Sequence, residues 1–322
     1  MAGLIDFLHT LTDCRMSELT PLSIRGEPLG ALTPVWRERV LALPYFHAVA
    51  DGVALGEAFQ GYNDISAVLM RVARQWRDSG VLTGWRDENF TAHDLDGRPC
   101  FELERAAFRA FGLQSRAVHI NGLVRNADGS WCMWVARRSP LKSVEPDKLD
   151  NLTGGGVAAG ETLKAALLRE GQEEAGLAPV WLSPLSALAP VFACRHVRRG
   201  LHREWLYPHD LWLPAGLVPH NTDGEVSEFV LMTPEEVLTA LLDGRFMADA
   251  ALVAADCLAR HEGLGADSPD VLRLLHPPGT LQAVCTDCLS AGPPTRSWTS
   301  ALGTRLPWRR RRTRCWQPRW GS

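Results

Sequence analysis

The spacing of apolar positions divides the chain into three unequal stretches. Residues 1–115 read as a mixed α/β unit. Thr33-Pro34 opens a helix carrying Trp36, Val40 and Leu43 and stopped by Pro44. A longer helix is predicted over 65–76, where Ile65, Leu69, Val72 and Trp76 form one apolar stripe, with core packing the expected role of Trp76. Residues 101–104 alternate as a strand does, and 105–111 follow as a short helix packing Phe108 and Phe111.

From residue 117 the period becomes that of strands. Residues 118–124 and 131–136 flank Asn126-Ala127-Asp128-Gly129, and Asp-Gly at the turn predicts a hairpin. Further strands are expected over 180–192, 201–213 and 225–231, the last alternating outward acids with inward apolar side chains. Thr233-Pro234-Glu235-Glu236 supplies a helix start, with Thr as N-cap, Pro at the first helical position and Glu at the third. A final helix over 249–260 carries Leu252, Ala255 and Leu258. From His276 onward no period survives, and Pro, Gly, Ser, Thr and Arg dominate. The expected organisation is an N-terminal unit over 1–115, a second domain over 116–275 and a disordered basic tail over 276–322.

One helix breaks the pattern. After Gly154-Gly155-Gly156, the stretch GGVAAGETLKAALLREGQEEAGL (155–177) ends in Glu170, Glu173 and Glu174. At about 100° per residue Glu170 and Glu174 fall in line with Leu163 and Leu167, so an apolar stripe turns into carboxylates. Leu168, Gly171 and Ala175 make a second small or apolar face, which predicts a helix sandwiched between layers. Like charges at i,i+4 cost about 0.2–0.5 kcal/mol per pair in water, and more as water is excluded. A divalent cation would offset that cost, because hard cations take oxygen ligands. The alternative is a solvated acidic face with Arg169 paired to Glu173. Gly171 is expected to weaken the helix, a mid-helix glycine costing roughly 1 kcal/mol relative to alanine. Ahead of the glycine run stand Arg137, Arg138, Lys142 and Lys148, either a solvated loop or a phosphate-facing one. Nothing before about residue 115 carries recognisable chemistry.

Composition narrows the classes. The 322 residues carry a net charge of −3, but from His276 onward eight Arg face one acid, so the body is more acidic still. An acidic body argues against nucleic acid as the main partner, although Arg309 to Arg312 could bind RNA. No run of about eighteen apolar residues occurs, so no membrane span is expected. The start MAGLIDFLHTLTDCRM has neither a basic opening nor a cleavable apolar core, so a cytoplasmic rather than secreted location is expected. Cys14, Cys100, Cys132, Cys194 and Cys257 read as core or near-core thiols of a reducing compartment. Cys285 and Cys288 form a lone CxxC with no second pair to complete a zinc site.

Gly155, Glu161, Arg169-Glu170, Glu173-Glu174, Gly176 and Leu177 stand at the spacing of the Nudix box, which this stretch resembles; Gly171 departs from it, where an aliphatic residue is usual. A longer pattern is similar to the thiamine-pyrophosphokinase-related Nudix branch: His119-Ile-Asn121-Gly122, Trp134-Val-Ala-Arg137-Arg138-Ser139, Lys148-Leu-Asp150-Asn151-Leu, Asp223-Gly-Glu225-Val-Ser-Glu228-Phe and Leu258-Ala-Arg260-His261. Departures fall at Asp147 and at Met247-Ala248-Asp249.

The resemblance implies a Nudix α/β/α sandwich with a mixed sheet, preceded by the smaller mixed α/β unit. It implies hydrolysis of a diphosphate with Mg²⁺ or Mn²⁺, held by Glu170, Glu173, Glu174 and the carbonyl of Gly155. Arg169 would orient an acid through Glu161 or Glu173. The general base stays open among Glu173, Glu174, Glu225 and Glu228. Asn121 and Asn151 are expected to reach ring or phosphate, with Arg137, Lys142 and Lys148 on the phosphates. Trp134, Trp205 or Trp212 would either stack on the ligand or pack in the core. The implied substrate is a small-molecule diphosphate. It is either a thiamine diphosphate analogue, oxidised or damaged, cleaved to monophosphate and phosphate, or an oxidised nucleoside diphosphate such as 8-oxo-dGDP. A different class stays open, a catalytically silent Nudix module that senses a nucleotide or a protein.

Overall fold

The computed structural model describes residues 2–142 and 144–277, and every element and contact below is among these residues. The tail from 278, with Cys285, Cys288 and the Arg309 to Arg312 run, lies outside the described residues.

The chain opens with helix α1 (Ala2–Thr12) and then builds a small sheet from β1 (Thr20–Ile24), β2 (Glu27–Leu32), β3 (Phe46–Val49) and β4 (Gly52–Leu55), in the order β2-β1-β4-β3. Helix α2 (Pro34–Leu41) joins β2 to β3, with Pro34 at its first position after Thr33. Helix α3 (Tyr62–Asp78), the hairpin β5 (Asn89–His93) and β6 (Pro99–Glu104), and helix α4 (Arg105–Phe111) complete this part. Ile65, Leu69, Val72 and Trp76 are buried as the stripe predicts. The Trp76 ring lies 5.0 Å from Trp36 and 5.1 Å from Phe111, so it is a core side chain.

The larger sheet holds β7 (Gln114–Arg125), β8 (Trp131–Arg138), β9 (Leu149–Asp150) and β10 (Thr153–Gly156). After helices α5 (Leu163–Ala175) and α6 (Pro179–Leu182) come β11 (Val191–Val197), β12 (Gly200–Leu213) and β13 (Val226–Met232). The order is β11-β12-β7-β8-β13, with β10 on β7 and β9 on β8. β7 runs parallel to β12 and antiparallel to β8 and β10, which makes the sheet mixed. Helices α7 (Pro234–Leu242), α8 (Ala248–Arg260) and α9 (Ser268–Leu275) follow. Ile120, Val124 and Leu211 pack with Leu167 of α5 and Leu182 of α6. Leu123, Met133 and Val135 pack in a separate core with α7 and α8. The result is the expected α/β/α sandwich.

Three features differ from the sequence reading. The first residues, read only for targeting, form α1, whose Leu4 and Leu8 are fully buried in the core shared with α8. Residues 180–192 are not one strand: Pro179 starts a helical turn, and β11 begins only at Val191. Pro184 and Pro190 cannot donate to a ladder, which is the physical reason. Cys14 and Cys194, expected as free thiols, form a disulfide across a Cα separation of 5.2 Å, within the range such a bond spans. Cys100, Cys132 and Cys257 are free.

A buried polar chain ties the end of α8 to the strand under the glycine run. Asp210 on β12 accepts from Asn121 Nδ2 (2.9 Å), from His261 Nε2 (2.8 Å) and from both terminal nitrogens of Arg260. Asn121 Oδ1 accepts from Asn151 Nδ2 (3.0 Å), and Asn151 Oδ1 bonds His119 Nδ1 (2.9 Å). Burial acts to raise the Asp210 pKa, but the bonds from His261 and Arg260 outweigh it and hold the carboxyl well below the usual carboxylate range. A depressed pKa contributes stability above the unfolded value of about 3.9 and loses it as pH falls towards the folded value. Asp210→Asn should therefore lower unfolding free energy by about 3–5 kcal/mol at pH 7. Urea titrations should show this gap hold between pH 5 and pH 8 and narrow only below about pH 4.

Candidate active site

Helix α5 starts where the Thr162 hydroxyl accepts from Ala165 N (3.1 Å) and ends at Gly176, whose φ of 64° closes the last turn. Its buried line runs Leu167, Glu170, Gly171, Glu174. Gly171, expected to be a weak point, has a packing reason. A Cβ there would sit 2.6 Å from Leu182 Cδ1 and 3.3 Å from Ile120 Cδ1. The missing side chain is what lets the helix lie close to β7 and α6.

The glycine run obeys the same constraint. As β10 it pairs with β7, Gly154 opposite His119 and Gly155 opposite Val118. A Cβ on Gly154 would stand 2.6 Å from His119 Nδ1, one on Gly156 2.5 Å from Phe90 Cζ, and one on Gly155 would overlap the Glu170 carboxylate. Backbone therefore lies directly against a carboxylate, and Gly154 N donates to Glu174 Oε2 at 3.0 Å.

Arg169 organises the acids. Its guanidinium grips Glu161 through two bonds of 2.9 and 3.0 Å and reaches Glu170 Oε1 at 2.6 Å, Gly156 O at 3.2 Å and Glu173 Oε2 at 3.5 Å. Those carboxylates, Glu161 first, raise its pKa above the already high arginine value. Lys142 Nζ stands 3.5 Å from Glu174 Oε1 and also pairs with Glu225. Burial pushes the Glu170 pKa up against the opposing pull of Arg169. Burial, then the charge of Glu170, pushes Glu174 up to about 8.

These groups open into a cleft of about 790 Å³. Gly155, Arg169, Glu170, Glu173, Glu174, Glu225 and Lys142 all line it, joined by Arg138. Four expected ligand contacts are not brought there. Asn121 and Asn151 are fully buried in the polar chain from Asp210, Arg137 pairs with Glu228, and Lys148 donates to Gly244 O. Trp134, Trp205 and Trp212 do not line the cleft either; its aromatic residue is Phe90, which is almost fully buried.

The stretch before residue 115, read as without chemistry, supplies a wall of the cleft through Arg86, Glu88, Phe90, Arg105 and Arg109. β11, its turn, β12 and α8 add Arg195, Arg199, His202 and Asp249. Asp249, one of the departures from the branch pattern, accepts from Arg195 (2.6 Å) and lies 3.0 Å from His202 Nε2. No local spacing signals this wall, because its members meet only through tertiary pairing.

A family profile described as the NUDIX domain matches residues 115–253, and one described as a domain of unknown function, DUF4743, matches 5–115. Nudix hydrolase 20, chloroplastic, of Arabidopsis thaliana is 33% identical over 290 residues, covering 85% of this chain and 77% of that one. The chain belongs to the Nudix hydrolase family. Nudix hydrolase 24, chloroplastic, of the same plant is 36% identical over 61% of this chain, but the match spans only about half, 54%, of that relative's length. The crystal structure of DR0079 from Deinococcus radiodurans is 26% identical, with a TM-score of 0.40, over 53% of this chain and 99% of its own.

Nudix hydrolases cleave phosphoanhydride bonds and generally use divalent cations. The donor set of this chain fits such an ion. It has two buried carboxylates on one helix line, a glycine backbone with no Cβ to fill the space beside Glu170, and one lysine against Glu174.

Two outcomes are expected. Gly171→Ala should lower stability by about 1–3 kcal/mol in urea unfolding, overpacking outweighing the better helix propensity of alanine. The pKa of Glu174 is raised by folding, so its ionisation costs stability progressively as pH rises from about 4.5 to 8. Glu174→Gln should therefore raise the melting temperature of the metal-free protein above pH 8 and leave it unchanged below pH 4.5. Mg²⁺ should stabilise the wild type far more than the variant, measured by thermal unfolding.

Proposed function

We propose that this chain is a Mg²⁺- or Mn²⁺-dependent hydrolase of a small-molecule diphosphate that ends in a free phosphate, releasing a monophosphate and phosphate. The observation that carries this reading is the pair Glu170 and Glu174, buried against a strand of three glycines and flanked by Arg169 and Lys142. Glu170, Glu173, Glu174 and the backbone of Gly155 would hold the ion. When bound, it lowers the pKa of a water and shields the anionic phosphorus from attack.

The remaining roles belong to side chains of this chain. Arg169 fixes the Glu170 carboxylate by pairing with it and with Glu161. Lys142 balances charge between Glu174 and Glu225. Glu173 and Glu225 line the cleft with about half of each side chain exposed, so the proton of the attacking water goes to one of them. Arg138, buried and paired with Asp150 at 2.7 Å, adds positive charge on the substrate side.

Among terminal diphosphates we favour thiamine diphosphate analogues, on the branch motifs around His119, Lys148, Asp223 and Arg260; oxidised nucleoside diphosphates such as 8-oxo-dGDP are the second reading. A panel of oxidised thiamine diphosphates, 8-oxo-dGDP, ADP-ribose and NADH, run with and without Mg²⁺, tests both levels. Metal-dependent phosphate release from the terminal diphosphates is expected. Preferential formation of two monophosphates from ADP-ribose or NADH would overturn the proposal.

A further inference from the structure

The cleft holds a half-buried cation that no acid among the described residues balances. Arg199, in the turn between β11 and β12, is half-buried, and no acid pairs with its guanidinium among the described residues. It lies flat against Gly84, whose φ of 79° and lack of a Cβ make the room; any side chain there would overlap it. Burial, and then the charges of Arg105 and Arg86 nearby, lower its pKa. Burying an unpaired charge beside two like charges opposes folding, so such a cluster needs a reason.

The rest of the wall makes the contrast plain. Arg195 is matched by Asp249, and Arg109 stands 3.8 Å from Glu204. Arg105 is paired with Glu88 and stacks on Phe90, its Cζ 5.1 Å from the ring centroid. Arg86, Arg105 and Arg199 line the cleft together, with Glu88 paired to Arg105 beside them.

The cluster is also preorganised. Buried Glu104 accepts from the backbone N–H groups of Arg86 (3.1 Å) and Glu88 (3.2 Å) and so fixes the loop, with Asp87 between them held at φ 58°. The Phe90 ring, edge-on against Phe108, touches both Arg105 and Gly156 of the glycine run.

We infer that Arg199, Arg105 and Arg86 form an anion subsite that takes the dianionic terminal phosphoryl group of the substrate and, after cleavage, the phosphate it becomes. This rests on the diphosphate-hydrolase reading for its place in the reaction, but binding of phosphate by the cluster does not depend on it. Guanidinium groups suit the task because their planar N–H pairs match phosphate oxygens and keep their charge at any working pH. The N-terminal unit then sets specificity: an internal diphosphate, esterified on both sides, presents no dianion to these arginines.

The test separates binding from turnover. Titration calorimetry of inorganic phosphate into the full chain in EDTA reads the subsite without metal or hydrolysis. Wild type should bind one phosphate, Arg199→Ala should bind at least tenfold more weakly, and Arg199→Lys should fall between them. Arg273→Ala, which removes an exposed charge on α9, should bind as wild type does. With the best substrate from the panel, Arg199→Ala should raise KM about tenfold and keep kcat within about twofold. The melting temperature of Arg199→Ala should equal or exceed that of wild type, because an unpaired cation is lost. Equal phosphate affinity in wild type and Arg199→Ala, an equal loss in Arg273→Ala, or a marked fall in melting temperature would each overturn the subsite. Failure of the hydrolysis panel with the phosphate result intact would instead count against the reaction assigned under the proposed function.

Discussion

Two carboxylates one helical turn apart, both shut away from water, are the constraint around which the site is built. At a separation of about 6 Å and an effective dielectric of about 20, two such charges repel by about 3 kcal/mol before any desolvation cost. The surrounding residues respond to that demand. Arg169 spans Glu161 and Glu170, the N–H of Gly154 binds Glu174, and Lys142 reaches in from the basic loop. Gly155 exists because the Glu170 carboxylate occupies the space of its side chain, and Gly171 because Leu182 occupies the space on the helix's other flank. Glu174 nonetheless keeps a pKa near 8, so the protein alone leaves the demand partly unmet.

Features that depend on neighbours in sequence were legible before the fold was known. The hairpin at Asp128-Gly129, the Thr233 helix start and the line from Leu167 to Glu174 follow from local periodicity and turn chemistry, and each takes its expected form. Features that depend on which distant strand lies alongside were not. Asn121 and Asn151 look like ligand residues in a string of motifs. β7, however, is flanked by β12 on one side and by β8 and β10 on the other, and both amides point into the polar chain ending at Asp210. The bond between Cys14 and Cys194 belongs to the same class, since nothing local relates residues 180 positions apart. The packing role of Gly171 was out of reach for a related reason: propensity treats a helix as isolated, whereas here β7 and α6 lie close against it.

The N-terminal unit follows from the same reasoning. Two buried acids need a cover, and the box helix supplies only one side of it. Phe90 closes against Gly156, the Asn89 carbonyl takes the N–H of Ala159 in the loop before α5, and α1 returns to pack Leu4 and Leu8 into the core of the larger sheet. Each of these contacts joins residues that a linear division at residue 115 would assign to separate domains. The first hundred residues are therefore structural members of the candidate cleft rather than an appendage to it. The arginines they carry, Arg86, Arg105 and Arg109, line the same cleft as the box acids Glu170, Glu173 and Glu174. That gathering of opposite charges in one cleft is built by tertiary contact between residues far apart in sequence.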